Sequence, residues 1–149
     1  MHVTLEYTEE VKTPFSESFF QSIAEKTLEK CQFSFLEGKE ISLNVIAVSA
    51  EKIQELNMKY LGKDSVTDVL SFGEYADRDA LEEGEEESIF LGEIFLCPTF
   101  IENSAKEDDV TFERELVYIF SHGVLHLVGF DHEEEMFAIQ ESVTDAFTG

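Results

Sequence analysis

What this 149-residue chain has least of is positive charge: 10 Lys and Arg stand against 33 Asp and Glu, a net of −23. Such a surface repels polyanions at long range and argues against a general nucleic-acid binder that works by neutralising phosphates. Cysteine is scarce too. Cys31 and Cys97 are too few for a disulfide framework and too far apart for a metal knuckle, so they read as small buried hydrophobes in a reducing cytoplasm. No stretch approaches the roughly 18 uninterrupted apolar residues of a membrane span. The opening MHVTLEYTEE has neither the basic region nor the apolar run of a signal peptide. A cytoplasmic protein with no membrane partner is expected. Only 2 prolines and 8 glycines are present, with no repeats and no linker rich in either, so residues 1–149 are read as a single domain. Tryptophan is missing, and 14 Phe against 4 Tyr suit a dry, well-filled interior.

Alternating apolar residues predict a strand at Val3, Leu5 and Tyr7 and another at Ile41, Leu43, Val45 and Ala47. Between them, Thr13-Pro14 predicts a helix start, with Phe15, Phe19 and Ile23 at helical spacing. Ser49 and Gly62 bracket a short helix carrying Ile53, Leu56 and Tyr60. The run Val69–Phe72 and the stretch Ile89–Cys97 read as strands. The acidic segment from Gly73 to Ser88 reads as a solvated loop. Helices are expected over Pro98–Asn103, Phe112–Val128 and Glu133–Phe147. The class is α+β: a small mixed sheet of about four strands with helices packed on it.

Three of the four histidines fall in one stretch, HGVLHLVGFDH, from His122 to His132. On the helix that leads into it, Leu116, Ile119, Phe120, Gly123 and Leu127 share a core-facing stripe, and Glu115, Tyr118, His122 and His126 line the adjacent face. Residues four apart stack one turn above the other, so His122 and His126 aim at one point. Gly129 sits where a left-handed turn ends a helix, and the returning chain brings His132 over the first two imidazoles. Burying three imidazoles separately would require a hydrogen-bond partner for each. Three neutral imidazoles at one point suit one Zn²⁺, with another divalent transition metal as the alternative. A three-ligand set leaves a fourth position for a water, acidified to near neutral pKa: a catalytic layout on a C-terminal helix and the turn after it. Cys97 is a conceivable fourth ligand, and His2 reads as a strand-surface residue. Metzincin proteases share the histidine spacing, but they carry Glu directly after the first histidine where this chain has Gly123. Asp131, Glu133 and Glu134 are nearby acids that nothing in the sequence places.

HGVLHLVGFDH closely resembles the HGxLHLxGxDH signature of the YbeY family of bacterial endoribonucleases, also called rRNA maturation factors. ELVYIFSHG resembles the helix that precedes the signature. Leu56–Phe72, LNMKYLGKDSVTDVLSF, resembles the family's LNxxYRxKDxPTDVLSF segment, and LGEIFLC its LGDIxI strand. The resemblance runs from about Ile41 to Phe147 in the family's order and spacing. It implies a metal, zinc in the first instance, held by His122, His126 and His132. It also implies hydrolytic single-strand-specific RNA cleavage, maturation of the small-subunit rRNA 3′ end, and ribosome quality control. The expected partners are ribosomal RNA and ribosome or assembly proteins, with no DNA.

The chain departs from the pattern at three places. Leu61 stands where the family carries Arg, and leucine cannot clamp a phosphate as a guanidinium does. Lys59 and Lys63 flank it and are candidate phosphate contacts. Val66 replaces a proline and Glu93 an aspartate. Thr67, Asp68 and Ser71 are candidates for the groove edge, while Val69, Leu70 and Phe72 read as core. Metal, Lys59, Lys63 and Arg114 could form a local positive groove on the acidic body, or the ribosome could position the protein. Attack on the phosphodiester by the metal-bound water, or by the substrate's own 2′-hydroxyl, fits the residues equally. Two other readings stay open: a non-catalytic, metal-stabilised ribosome-assembly factor, and a metallohydrolase or peptidase of another class.

Overall fold

A computed structural model describes residues 1–148. Four strands form one mixed sheet: β1 (His2–Glu9), β2 (Glu40–Ala47), β3 (Val69–Gly73) and β4 (Ser88–Leu96), in the spatial order β1-β2-β4-β3. β1 pairs parallel with β2 and β2 with β4, while β3 runs antiparallel on the outer edge of β4. The helices are α1 (Glu17–Cys31), α2 (Ala50–Leu61), α3 (Arg78–Glu83), α4 (Pro98–Glu107), α5 (Phe112–Leu127) and α6 (Glu134–Thr148). Among the described residues no helix is long and apolar enough to cross a membrane.

The expected strands are present, and three helical readings are corrected. Helix α1 starts at Ser16, whose hydroxyl accepts from Phe19 N; Thr13 instead bonds the Tyr7 hydroxyl at 2.6 Å. Residues 73–88 are not all loop. Asp77 caps α3, and the helix buries Leu81 in the main core, an apolar anchor hidden within an acidic segment. Helix α4 runs on to Glu107, because Ile101 and Ala105 continue its buried face.

In β4 the buried positions are Ile89 and Leu91, then Ile94 and Leu96, so the alternation changes parity in the middle. The register against β2 shows why: Ser42 to Asn44 spans one residue fewer than Phe90 to Glu93. This bulge at Leu91–Gly92 keeps both halves of the strand facing the core.

Helix α5 is buried nearly all round and lies against β3, β4, α1, α4 and α6. Gly123 permits that approach. A Cβ there would meet Ser71 Oγ at 3.1 Å and two Ile94 carbons at 3.3 Å. The glycine after the first histidine therefore brings the helix close to the sheet and holds the histidines beside β3. Cys31 and Cys97 are buried and unpaired with each other.

Candidate metal centre

His122 and His126 project from the last two turns of α5, with rings 4.4 Å apart and nearly perpendicular. Each has its Nδ1 tied down. His126 Nδ1 lies 2.9 Å from the carbonyl oxygen of Phe130. A carbonyl only accepts, so Nδ1 carries the proton and Nε2 the lone pair. The Gln140 amide donates from Nε2 to Tyr118 O at 2.8 Å, which turns its Oε1 toward His122 Nδ1 at 3.2 Å. The hydrogen-bond network thus assigns His122 the same tautomer. Burial, the leading cause, holds His122 below the ordinary imidazole pKa, with the neighbouring imidazoles acting in the same direction and the Gln140 bond and Asp68 opposing. Its neutral, coordinating form prevails at pH 7.

The consequence is an electrostatic mismatch that fits a cation. With both imidazoles in the neutral form a metal requires, the two Nε2 atoms face each other lone pair to lone pair at 2.9 Å. His132 completes the group, its ring 5.2 Å from His122 and 5.0 Å from His126. One ligand atom from each of the three histidines lies within 4.8 Å of the others. Tetrahedral Zn–N bonds of about 2.0–2.1 Å imply N···N separations of about 3.3 Å, within reach of small ring rotations. The three histidines could hold a metal ion, and the donor set suits zinc.

The turn that returns His132 uses two left-handed residues, Gly129 (φ 93°) and His132 itself (φ 51°). It is clamped by Arg78 of α3. The guanidinium lies 4.2 Å from the Phe130 ring and 4.9 Å from the Phe33 ring, and Nε donates to Val128 O. Arg78 and Gln140 are contributors that sequence reasoning missed; both act across long stretches of chain, with no local spacing to mark them.

The histidines open into a cleft of about 830 Å³, also lined by Leu61, Asp68, Ser71, Tyr75, Tyr118, Phe137 and Gln140. Of the polar candidates on the 67–71 segment, Asp68 and Ser71 border this cleft. Leu61 also reaches it, whereas Lys59 lines a separate groove along α2 with Glu55 and Asp64. Arg114 does not contribute to a positive groove. It pairs with Asp145 at 3.0 Å and Glu141 at 3.7 Å and donates to Thr148 Oγ1, because α6 presents its acids to the start of α5. Cys97 sits in a small core with Val48, Ile53 and Leu70 and is not among the described residues that could share a metal with the histidines. Glu133 faces Arg78 at 3.8 Å. His2 is exposed on β1, as read.

Glu115, two turns before His122 on α5, is only 8% exposed, and its Oε2 has no hydrogen-bond partner among the described residues. Burial in the first place, then the neighbouring Asp108, pushes its carboxyl from 4.5 up to about 7, with Ser104 opposing. An acid whose pKa is raised by folding is stabilising when protonated, so this contribution is lost as pH rises from about 4.5 through about 7. Glu115→Gln is expected to be more stable than the parent at pH 8, by on the order of 2–3 kcal/mol and with a higher melting temperature, and to come close to it at pH 5. Parallel melting curves at both pH values would contradict this.

A family model described as Endoribonuclease YbeY matches residues 6–148. An endoribonuclease YbeY from Ureaplasma urealyticum is 37% identical over 141 residues, covering 91% of this chain and 86% of that protein. One from Thermotoga maritima is 39% identical over 116 residues, covering 74% and 70%. A solution structure of a T. maritima protein superposes with a TM-score of 0.58 at 32% identity, covering 95% of this chain and 87% of the other.

Proposed function

This chain belongs to the YbeY endoribonuclease family, and on that premise we propose that it is a zinc-dependent, single-strand-specific endoribonuclease of rRNA maturation. Its site of action in this reading is the small-subunit 3′ end, and its setting is the cytoplasm and ribosome quality control, with residues 1–149 working as one domain. The observation that carries the proposal is the pair of Nε2 lone pairs held face to face at 2.9 Å beside His132 in an open cleft. His122, His126 and His132 would hold the ion; when bound, zinc supplies a Lewis acid and lowers the pKa of water to about 7.

The remaining chemistry belongs to the chain's own residues. Gln140 and the Phe130 carbonyl keep both Nδ1 atoms protonated, so the ligating nitrogens stay free and oriented. Asp68, just before β3, and Ser71, on it, line the cleft and are assigned as edges of the substrate groove. Lys59, on the separate groove along α2, and the exposed Lys63 are assigned as phosphate contacts outside the cleft.

Removing the outer partner has a measurable cost. Gln140→Ala frees the His122 ring and is expected to weaken zinc binding about 10- to 100-fold. Competition with a chromophoric chelator reads this directly, and an unchanged affinity would remove Gln140 from the site. The function itself is tested by incubating purified protein with labelled single-stranded RNA, the same sequence as a duplex, and casein, with and without chelator. Chelator-sensitive cleavage of the single strand alone is expected. Casein digestion would favour a peptidase. A chelator that lowers the melting temperature, with no RNA cleavage to lose, would favour an assembly factor.

A further inference from the structure

Resting on the RNA-cleavage reading, a second question is how a protein of net charge −23 holds RNA at all. Among the described residues, no lysine or arginine lines the histidine cleft. The two guanidiniums are committed elsewhere: Arg78 lies against Phe33 and Phe130, and Arg114 is paired with Glu141 and Asp145. What the cleft offers instead is aromatic and apolar surface from Leu61, Tyr75, Tyr118 and Phe137.

Phe137 is the notable member. The stripe that docks α6 on the core is Met136, Ile139 and Val143, all buried. Phe137 lies off that stripe and is 42% exposed, so packing does not explain its ring. That ring stands 6.4 Å from His122, at 28° to its plane, and 6.2 Å from His132. The helix start thus presents a part-exposed aromatic ring beside two of the three imidazoles. Across the cleft, Leu61 is 54% exposed and brings no charge.

We propose that Phe137 is a base-stacking, specificity-determining residue: an unpaired nucleobase lies on its exposed face and sets the adjoining phosphodiester over the histidines. Every base has a π-face, so the contact is tolerant of sequence but demands a base out of its duplex. Preference for single strands follows from the same contact, and the lack of cleft cations ceases to be an obstacle.

The test is anisotropy of a labelled single-stranded oligoribonucleotide with the purified protein, over a salt series, for the parent and Phe137→Ala, Phe137→Leu and Phe137→Trp. Stacking on one ring predicts that Ala and Leu weaken binding roughly tenfold, while Trp restores it. With two lysines as the only assigned phosphate contacts, the slope of log K against log salt is expected to be no steeper than about −1.4. In cleavage assays the loss is expected in KM more than in kcat. Unchanged melting curves show that the variants fold. Binding that ignores Phe137→Ala, or that Leu restores as well as Trp, overturns the stacking role and leaves the nuclease reading intact. A parent that neither binds nor cleaves RNA overturns the nuclease reading and the stacking role with it.

Discussion

His126→Ala is expected to lower RNA cleavage at least 100-fold and to abolish stoichiometric zinc binding. Loss of a partner that merely orients a ligand costs about 10- to 100-fold. Loss of a ligand should cost no less than the top of that range. The residue is doubly engaged, its Nδ1 on the Phe130 carbonyl and its Nε2 toward His122. Alanine removes the lone pair and also releases the turn that carries His132. Chelation of the parent protein should reproduce the rate loss without touching the turn. It should also lower the melting temperature, since a ligand at 100 times its Kd contributes about 2.7 kcal/mol to the folded state. Full activity both in the variant and after chelation would end the metal mechanism. Elemental analysis of the two proteins, alongside the cleavage rates, makes the comparison complete.

The second large effect is on stability. Gly92→Ala is expected to destabilise the fold by about 3 kcal/mol or more, a large part of a typical 5–15 kcal/mol total. Gly92 has φ 139°, where L side chains rarely sit. A Cβ there would overlap the Phe72 carbonyl oxygen and come within 3.0 Å of Gly73 Cα. The only relief is to part β3 from β4 at the bulge. Asp68 and Ser71 ride on that edge, so the cleft wall would move with it. For a chain of this size the melting temperature should fall by roughly 6–12 °C. A shift of under about 2 °C would show that the edge strand yields easily.

The strands and the ligating triad were legible because their signals are local. Val3, Leu5 and Tyr7 alternate; His122 and His126 are one helical turn apart; Gly129 marks the turn. Thr13-Pro14 misled because a proline can follow a cap or simply end a loop, and here the Tyr7 and Glu9 side chains claimed Thr13 first. Leu81 escaped notice because one apolar residue among glutamates shows no period, yet one buried side chain is enough to anchor a short helix. Arg114 promised a positive groove on charge alone, and only the approach of α6 showed its charge already matched.

The sequence by itself determined the α+β class, the four strands, the family resemblance and the three imidazoles, since each depends on spacings within a dozen residues or on motifs read in order. Tertiary structure alone decided which nitrogen of each imidazole is free. It also decided that Leu61 and Phe137 line the histidine cleft, and that both arginines are committed away from it. Those facts depend on groups brought together from distant parts of the chain: Gln140 is 18 residues from His122, and Arg78 is 50 from Val128. No periodicity encodes such pairs. They exist only once α3, α5 and α6 pack around one turn.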